Sequence, residues 1–244
     1  MIRGVLFDYG GTLVEMERPW SDVKEEAIRS EYDALKARGL GLSFDDYHLL
    51  NDATFRRFAE REAAELKDIP DLVKYEDIVS QIFPTMPAAW RDGVAALATR
   101  TFWSTVTRSL ALRGDAKPCL EELKSKGLLM AVVSNHHNGE SLTEHLSGLQ
   151  VSGYFSHILA SSQLEFRKPD PRIIEKSLSL LGLGRDQAVF VGDSLEFDAG
   201  AARRAGVKSI LLTSPSGDGA SPAGQKPDFT IESLVEVPRI VTSL

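Results

Sequence analysis

Cysteine is nearly absent from the 244-residue chain, and because Cys119 stands alone no disulfide can form within it. Basic residues are also in deficit: 28 lysines and arginines face 35 acidic residues, for a formal net charge of -7. A nucleic-acid-binding protein usually presents a basic face, so this balance argues against that class. We therefore expect no nucleic-acid partner.

Long apolar runs are missing as well. The longest one, at residues 128–133, is far too short to cross a bilayer, which takes about 20 residues. The N-terminus leads directly into a strand-like segment and shows no charged-then-apolar leader. With the single cysteine, these features predict a soluble cytoplasmic protein that has no membrane partner.

Residues 5–14, VLFDYGGTLV, form the first segment that points to chemistry. Its apolar start is typical of a buried parallel strand, and the strand ends at Asp8 before the chain turns at Gly10 and Gly11. Open α/β sheets place their ligand-binding groups at the carboxyl ends of strands. Asp8 is therefore a candidate site residue.

The remaining sequence divides into two patterns. Residues 15–109 show only amphipathic helix patterns, which predict an all-helical insertion. From Asp115 onward strands and helices alternate, which predicts a parallel sheet with helices on both faces. We predict an α/β protein with a Rossmann-like core, formed by residues 1–14 and 110–244, and a helical unit at residues 15–109.

Polar residues follow several predicted strands at one edge of that sheet. Asp8, Ser134 and Asp193 each stand directly after an apolar run, and Asp198 comes one turn of chain later. Lys168 precedes a helix start in the segment FRKPDP. Carboxylates converging there form an oxygen-rich site that suits Mg²⁺ rather than zinc, because no histidine or cysteine has ligand spacing. The metal and Lys168 would neutralise a phosphate, which Ser134 and backbone N–H groups would hydrogen-bond.

These motifs resemble those of the haloacid dehalogenase (HAD) superfamily. The matching stretches, in the family's order, are FDYGGTLV, AVVSN, RKPDP and VFVGDSLEFDAGAARRAG. The resemblance implies a sheet in the order 5-4-1-2-3, with residues 15–109 in the place of the inserted helical cap domain. It also implies hydrolysis of a small phosphorylated substrate through an aspartyl-phosphate.

The resemblance gives each matching residue a role. The catalytic candidates are the nucleophile Asp8 and the charge-balancing Lys168. The candidates for substrate binding are Ser134, Asn135 and Lys168. The candidate Mg²⁺ ligands are Asp8, Gly10 through its backbone carbonyl, Asp193 and Asp198.

Gly10 departs from the family pattern, because most phosphatases of the family have a second aspartate there. That side chain protonates the leaving oxygen and then activates water, a contribution typically worth ~10²–10⁴ in rate. Glu15, His136 and His137 are candidates to replace it. Without a replacement, we expect a preference for aryl or acyl phosphates, whose leaving groups are already stable anions, over alkyl phosphates.

Three functions stay open at this point. The first is a Mg²⁺-dependent phosphatase. The second is a dehalogenase or a C–P-cleaving hydrolase. The dehalogenase branch has an aromatic residue at the position of Gly10 and lacks the Gly-Asp-Ser metal pattern. The C–P-cleaving branch needs a cap lysine, for which Lys24, Lys36 and Lys67 are the candidates. The third is a binding or regulatory module that keeps Asp8 and the metal without efficient turnover. Substrate identity and oligomeric state cannot be read from the sequence.

Overall fold

The computed structural model describes residues 1–213 and 226–244, which contain eight strands and nine α-helices. The strands are β1 (Gly4–Phe7), β2 (Val14–Met16), β3 (Leu110–Leu112), β4 (Leu129–Ser134), β5 (His157–Ala160), β6 (Ala188–Gly192), β7 (Lys208–Leu212) and β8 (Phe229–Ile231). The helices are α1 (Trp20–Lys36), α2 (Phe44–Glu65), α3 (Asp71–Ile82), α4 (Ala88–Thr107), α5 (Ala116–Ser125), α6 (Gly139–Gly148), α7 (Arg172–Leu181), α8 (Gly200–Ala205) and α9 (Val237–Thr242). None of these helices is long and apolar enough to cross a membrane.

Six of the strands form one parallel sheet in the order β5-β4-β1-β6-β7-β8. The predicted α/β class is confirmed. The predicted order 5-4-1-2-3 was wrong at one edge, because it left out the sixth strand, β8. The carboxylate of Asp228 accepts hydrogen bonds from the backbone N (2.9 Å) and the Oγ (3.1 Å) of Ser209, and these contacts hold β8 beside β7. Such a long-range contact has no signature in the local sequence.

Helices cover both faces of the sheet. Helices α5, α6 and α9 contribute to the apolar cluster on one face, and α7 and α8 contribute to the cluster on the other. The central strands β1 and β6 are buried along their whole length, which explains their unbroken apolar sequences. Cys119 lies in the first cluster, where burial raises the pKa of its thiol.

Helices α1 to α4 pack around an apolar cluster of their own, and we call residues 20–107 the helical unit. A short antiparallel ribbon connects this unit to the sheet, with Val14 paired to Leu112 and Met16 to Leu110. No periodic pattern predicted the ribbon, because strands of three residues are too short to show alternation. The division into a core and a cap at residues 15 and 109 stays a prediction.

Candidate active site

Three strands of the sheet deliver polar side chains to one cavity. Asp8 follows β1 directly, Asp193 follows β6, and Ser134 ends β4. The backbone N–H of Asp8 continues the ladder to β6 by donating to the carbonyl of Val191 at 2.8 Å. All three side chains line a cavity of about 450 Å³. The structure thus brings together the strand-end residues singled out in the sequence.

Lys168 lies at the floor of this cavity and is almost fully buried. Its Nζ donates to Oδ1 of Asp8 at 2.5 Å and to Oδ1 of Asp198 at 2.7 Å. Burial alone would lower the pKa of Lys168, but the charges of Asp198 and Asp8 raise it above its ordinary value. Lys168 is therefore an ammonium held against two carboxylates.

Asn135 determines where Lys168 sits. Its side-chain oxygen accepts from the backbone N–H of Lys168 at 2.8 Å, and its Nδ2 donates to the Lys168 carbonyl at 2.9 Å. Asn135 also lines the cavity, although its amide is committed to this pair of bonds. The neighbouring Ser134 is different, because its hydroxyl has no hydrogen-bond partner among the described residues and is available to a ligand.

Two glycines create the space that the acidic side chains occupy. Gly11 has a φ of +78°, and a Cβ atom built on it would lie 2.2 Å from Oδ2 of Asp193. Thr12 then donates its hydroxyl to Oδ1 of the same carboxylate at 3.1 Å. A Cβ on Gly192 would lie 2.4 Å from the side chain of Asp198. Close approach thus requires glycine at positions 11 and 192.

Asp198 lies on a π-helical turn, Leu195–Ala199, which precedes α8. Its Oδ2 accepts from the backbone N–H of Ser194 at 2.9 Å, while its Oδ1 accepts from Lys168. The turn therefore directs Asp198 back toward the strand ends. Such π-turns are rare and often occur at functional sites.

The site carries more negative than positive charge. Each of Asp8, Asp193 and Asp198 offers one carboxylate oxygen, and the three oxygens lie within 4.8 Å of one another. Burial raises the pKa of Asp8 and of Asp193, and the neighbouring carboxylates raise both further, although Lys168 opposes this shift. Oδ2 of Asp8 accepts no hydrogen bond from any described residue. A hard divalent cation fits this arrangement of oxygens and unbalanced charge.

The upper walls of the cavity are apolar. They are formed by Tyr9, Met16, Trp20, Trp103, Val106, Leu110 and Phe197. The sequence did not reveal these residues as part of a site, since aromatic stripes on helices usually indicate core packing. Their position depends on how the helical unit sits over the sheet, for which the sequence offers no local signal.

Of the three candidates for the missing acid–base group, only His136 lines this cavity. Glu15 has a side chain that is 57% exposed and pairs with Arg113. His137 faces the helical unit, where its Nε2 lies 3.2 Å from Oε1 of Glu62. Gly10 also lines the cavity, and no atom lies within 4 Å of a Cβ built on it.

His136 is held in a defined orientation. Its Nδ1 accepts the backbone N–H of Asn138 at 3.1 Å, so in the neutral ring the proton sits on Nε2. The ring packs on Trp103, with centroids 4.3 Å apart and planes tilted by 37°. Burial lowers the pKa of His136 to about 4, so the ring is neutral at pH 7.

A second polar cluster joins the helical unit to the sheet beside the cavity. His137 lies between Glu62 and Asp68, and Lys74 reaches Oε1 of Glu62 at 2.9 Å. Asp68 in turn accepts from Arg167 at 2.6 Å. Because lysine and arginine already balance both carboxylates, this cluster is an ion-pair network between two parts of the chain. Sequence reasoning missed it, since its members are far apart in the chain.

The chain belongs to the haloacid dehalogenase-like hydrolase family, whose sequence profile matches residues 5–212. The protein is thus a hydrolase of this family. It is 28% identical over 236 residues to a phosphoglycolate phosphatase of Photorhabdus laumondii, covering 97% of this chain and 91% of that protein. It is 29% identical to a ribulose-1,5-bisphosphate 5-phosphatase of Halopiger xanaduensis, over 99% of this chain and 100% of the relative.

Solved structures share the fold. A crystal structure of a 2-haloacid dehalogenase from Pseudomonas syringae superposes with a TM-score of 0.77 and 23% sequence identity. The comparison covers 100% of this chain and 99% of that one. At this identity the likeness establishes the architecture alone.

Proposed function

We propose that the protein is a Mg²⁺-dependent phosphatase that hydrolyses phosphate monoesters of small metabolites through an aspartyl-phosphate on Asp8. The observation that carries this proposal is the contact of Asp8 with Lys168 in a cavity that also holds Asp193 and Asp198. The ammonium beside the attacking carboxylate favours a dianionic phosphate over a neutral carbon–halogen bond, once a divalent cation offsets the two further acids.

Asp8, Asp193 and Asp198 would hold Mg²⁺, together with the backbone carbonyl of Gly10. When bound, the cation supplies positive charge that offsets the charge of the phosphate and aligns it with Asp8. Lys168 contributes further positive charge at the same place, and the free hydroxyl of Ser134 can hydrogen-bond a phosphoryl oxygen.

The first chemical step belongs to Asp8. One of its carboxylate oxygens attacks phosphorus, a P–O bond to Asp8 forms, and the P–O bond to the leaving group breaks with its electron pair on the departing oxygen. The departing oxygen takes its proton from water. Water then attacks the phosphorus of the aspartyl-phosphate, which releases inorganic phosphate and restores the Asp8 carboxylate.

His136 is the group best placed to assist the leaving oxygen. His136 lines the cavity and in the neutral tautomer carries its proton on Nε2, which can donate a hydrogen bond, but at pH 7 the ring has no second proton to give. Such a donor stabilises developing charge without replacing a carboxylic acid. Phosphates with good leaving groups, such as acetyl phosphate, should therefore be turned over fastest.

The alternatives lack comparable support. Lys168 is the only lysine among the described residues that line the cavity, so a Schiff base on a lysine of the helical unit finds no partner there. Lys24 instead pairs with Asp52, and Lys67 pairs with Glu165. A regulatory module without turnover is separated from an enzyme by direct assay.

Turnover of acetyl phosphate with and without Mg²⁺ tests the proposal. Asp8→Asn should abolish the Mg²⁺-dependent rate while circular dichroism stays unchanged. Asp186→Asn makes the same chemical change at an exposed position and should retain the rate. After an acid quench, the wild type should also retain labelled phosphate that hydroxylamine releases. An inactive wild type, or an active Asp8→Asn variant, would contradict the covalent mechanism.

A further inference from the structure

The apolar walls of the Asp8 cavity contrast sharply with its charged floor. Its carboxylates and its lysine lie at the carboxyl ends of the strands or on the segments beside them, whereas the side facing the helical unit presents Met16, Trp20, Trp103, Val106 and Leu110. A phosphate bound at the floor would direct its organic group toward this side. The structure therefore bears on which organic group is accepted.

The cavity offers no free cation above the floor. Lys168 is the only lysine or arginine lining it in the described part of the chain, and it already donates to Asp8 and Asp198. A second anionic group on a substrate would lose its hydration there without gaining a cationic partner, which is strongly unfavourable. Substrates with a carboxylate or a second phosphate are disfavoured.

Trp20 and Trp103 stand between the cavity and a group of cations on the helical unit. Both tryptophans also line a second cavity of about 550 Å³, which contains Lys24 and Arg56. Trp103 is fixed in place, because its Nε1 donates to Asp71 at 3.0 Å and its ring packs on His136. The wall is thus preorganised and does not have to be built by the ligand.

Trp20 is the second sign that an apolar ligand binds here. It begins α1 and is 50% exposed, although large aromatic side chains are normally well buried. Trp20 lines the cavity, so an aromatic ligand bound there would contact its side chain. Aromatic rings prefer such partners and gain from offset or edge contacts.

We propose that the organic half of the substrate is uncharged and apolar, so that the preferred substrate is an aryl or arylalkyl phosphate monoester contacting Trp20 and Trp103. This inference rests on the proposed phosphatase function, whose site it specifies further. It differs from the leaving-group argument at Gly10, because the tryptophan wall distinguishes substrates even when their leaving groups are equally poor. Burial of one ring is worth roughly 10- to 100-fold in affinity.

Substrates with matched leaving groups isolate the effect of the wall. Benzyl phosphate and glycerol 1-phosphate both release an alkoxide, and 2-phosphoglycolate adds a carboxylate. With Mg²⁺ we expect kcat/KM for benzyl phosphate to exceed that for glycerol 1-phosphate by at least about tenfold, with 2-phosphoglycolate lowest. Equal or reversed values, measured on an enzyme that turns over acetyl phosphate, would overturn the inference and leave the phosphatase function intact.

Three tryptophan variants complete the test. Trp20→Ala and Trp103→Leu should each lower the ratio of kcat/KM for benzyl phosphate to that for glycerol 1-phosphate about tenfold. Trp90→Leu is the matched control, because Trp90 lies on the same helix as Trp103 but packs against Phe83. If folded Trp20→Ala and Trp103→Leu both kept the wild-type ratio, the inference would be wrong.

A binding experiment keeps the inference testable without turnover. Benzylphosphonate and phosphonoacetate are stable analogues, and titration calorimetry with Mg²⁺ should show tighter binding of benzylphosphonate by at least about tenfold. Tighter binding of benzylphosphonate by a protein inactive on every phosphate would refute the phosphatase function and support the apolar wall. Equal binding, or tighter binding of phosphonoacetate, would refute the inference that the apolar wall selects an uncharged organic group.

Discussion

Lys168 contacts Asp8 across 160 positions of sequence, with its Nζ 2.5 Å from Oδ1. Both side chains are buried, and Asp198 is the second acceptor of the same ammonium. The lysine therefore limits the repulsion among carboxylates that the fold forces together. It also leaves Oδ2 of Asp8 open to the cavity.

Removal of that ammonium should damage both activity and stability. Lys168→Met leaves Asp8 and Asp198 buried without their partner, so we expect loss of turnover and a free energy of unfolding lower by about 3–5 kcal/mol. Urea unfolding and acetyl phosphate assays measure the two effects. Lys176→Met, at an exposed position, is the control. Wild-type stability and turnover in Lys168→Met would refute this role.

Mg²⁺ should raise the melting temperature of the wild type. A ligand at a hundredfold excess over its Kd stabilises a folded protein by about 2.7 kcal/mol. Asp193→Asn should lose most of the shift, because it removes one of the three clustered carboxylates. Asp186→Asn should keep it. Melting curves that do not move with millimolar Mg²⁺ would argue against a metal site.

Gly10→Asp should restore the missing acid. No atom lies within 4 Å of the new Cβ, and the backbone φ of Gly10 is outside the positive region, so the side chain fits without strain. Turnover of glycerol 1-phosphate should rise by up to ~10²–10⁴. Gly10→Asn has nearly the same shape without an acid and should not show the gain. A folded Gly10→Asp protein with unchanged kinetics would mean that the acid is not what the site lacks.

His137 should make stability depend on pH near neutrality. Burial lowers the pKa of His137, but the Glu62 carboxylate, whose Oε1 lies 3.2 Å from Nε2, and the charges of Asp71 and Asp68 raise it above its ordinary 6.5. The stability it contributes is thus fully present below about pH 6.5 and is lost as pH rises through the folded-state pKa. The charged and titratable groups around it are Glu62, Asp68, Asp71, Lys74, Arg167 and His136.

Thermal unfolding of His137→Gln between pH 5.5 and 9 measures this contribution. The wild type should exceed the variant most at the acidic end, and the difference should shrink toward alkaline pH. His48→Gln, which loses contacts to the part-exposed Glu25 and Asp52, is the control. A difference in melting temperature between wild type and His137→Gln that grows with pH would contradict this prediction.

Titration of Glu31 should lower the free energy of unfolding as pH rises. The Glu31 carboxylate is buried and accepts from Tyr47 (2.8 Å), Asn51 (2.7 Å) and Tyr75. Burial nevertheless raises its pKa from 4.5 to about 8. Between these values the folded state keeps a proton that the unfolded state has lost, so stability falls by roughly 1.4 kcal/mol per pH unit.

Glu31→Gln removes this titration. Urea unfolding at pH 5, 6.5 and 8 should show that the free energy of unfolding of the variant, relative to that of the wild type, increases with pH. Glu60→Gln, at an exposed position on the same helix as Tyr47, should follow the wild type. A pH-independent offset between Glu31→Gln and wild type would show that Glu31 does not titrate in this range.

The sequence alone determined the α/β class and predicted that the candidate site residues lie together at the strand ends. Asp8, Ser134 and Asp193 could be predicted because an apolar run fixes a buried strand, and parallel strands end at the same edge of a sheet. Asp198 and Lys168 were added because one lies a turn of chain after Asp193 and the other precedes a helix start, and the family resemblance then gave them roles. The pairing of β8 with β7 at the edge of the sheet and the β2–β3 ribbon could not be predicted, since each depends on pairing between distant short segments.

Only the tertiary structure decided the rest of the site, as two adjacent histidines illustrate. His136 lines the Asp8 cavity under Trp103, whereas His137 turns to Glu62 on another helix. Local sequence treats the two alike, because both directly follow the same strand-end segment. Their roles diverge because the packing of the helical unit over the sheet selects which ring meets an apolar wall and which meets a buried carboxylate.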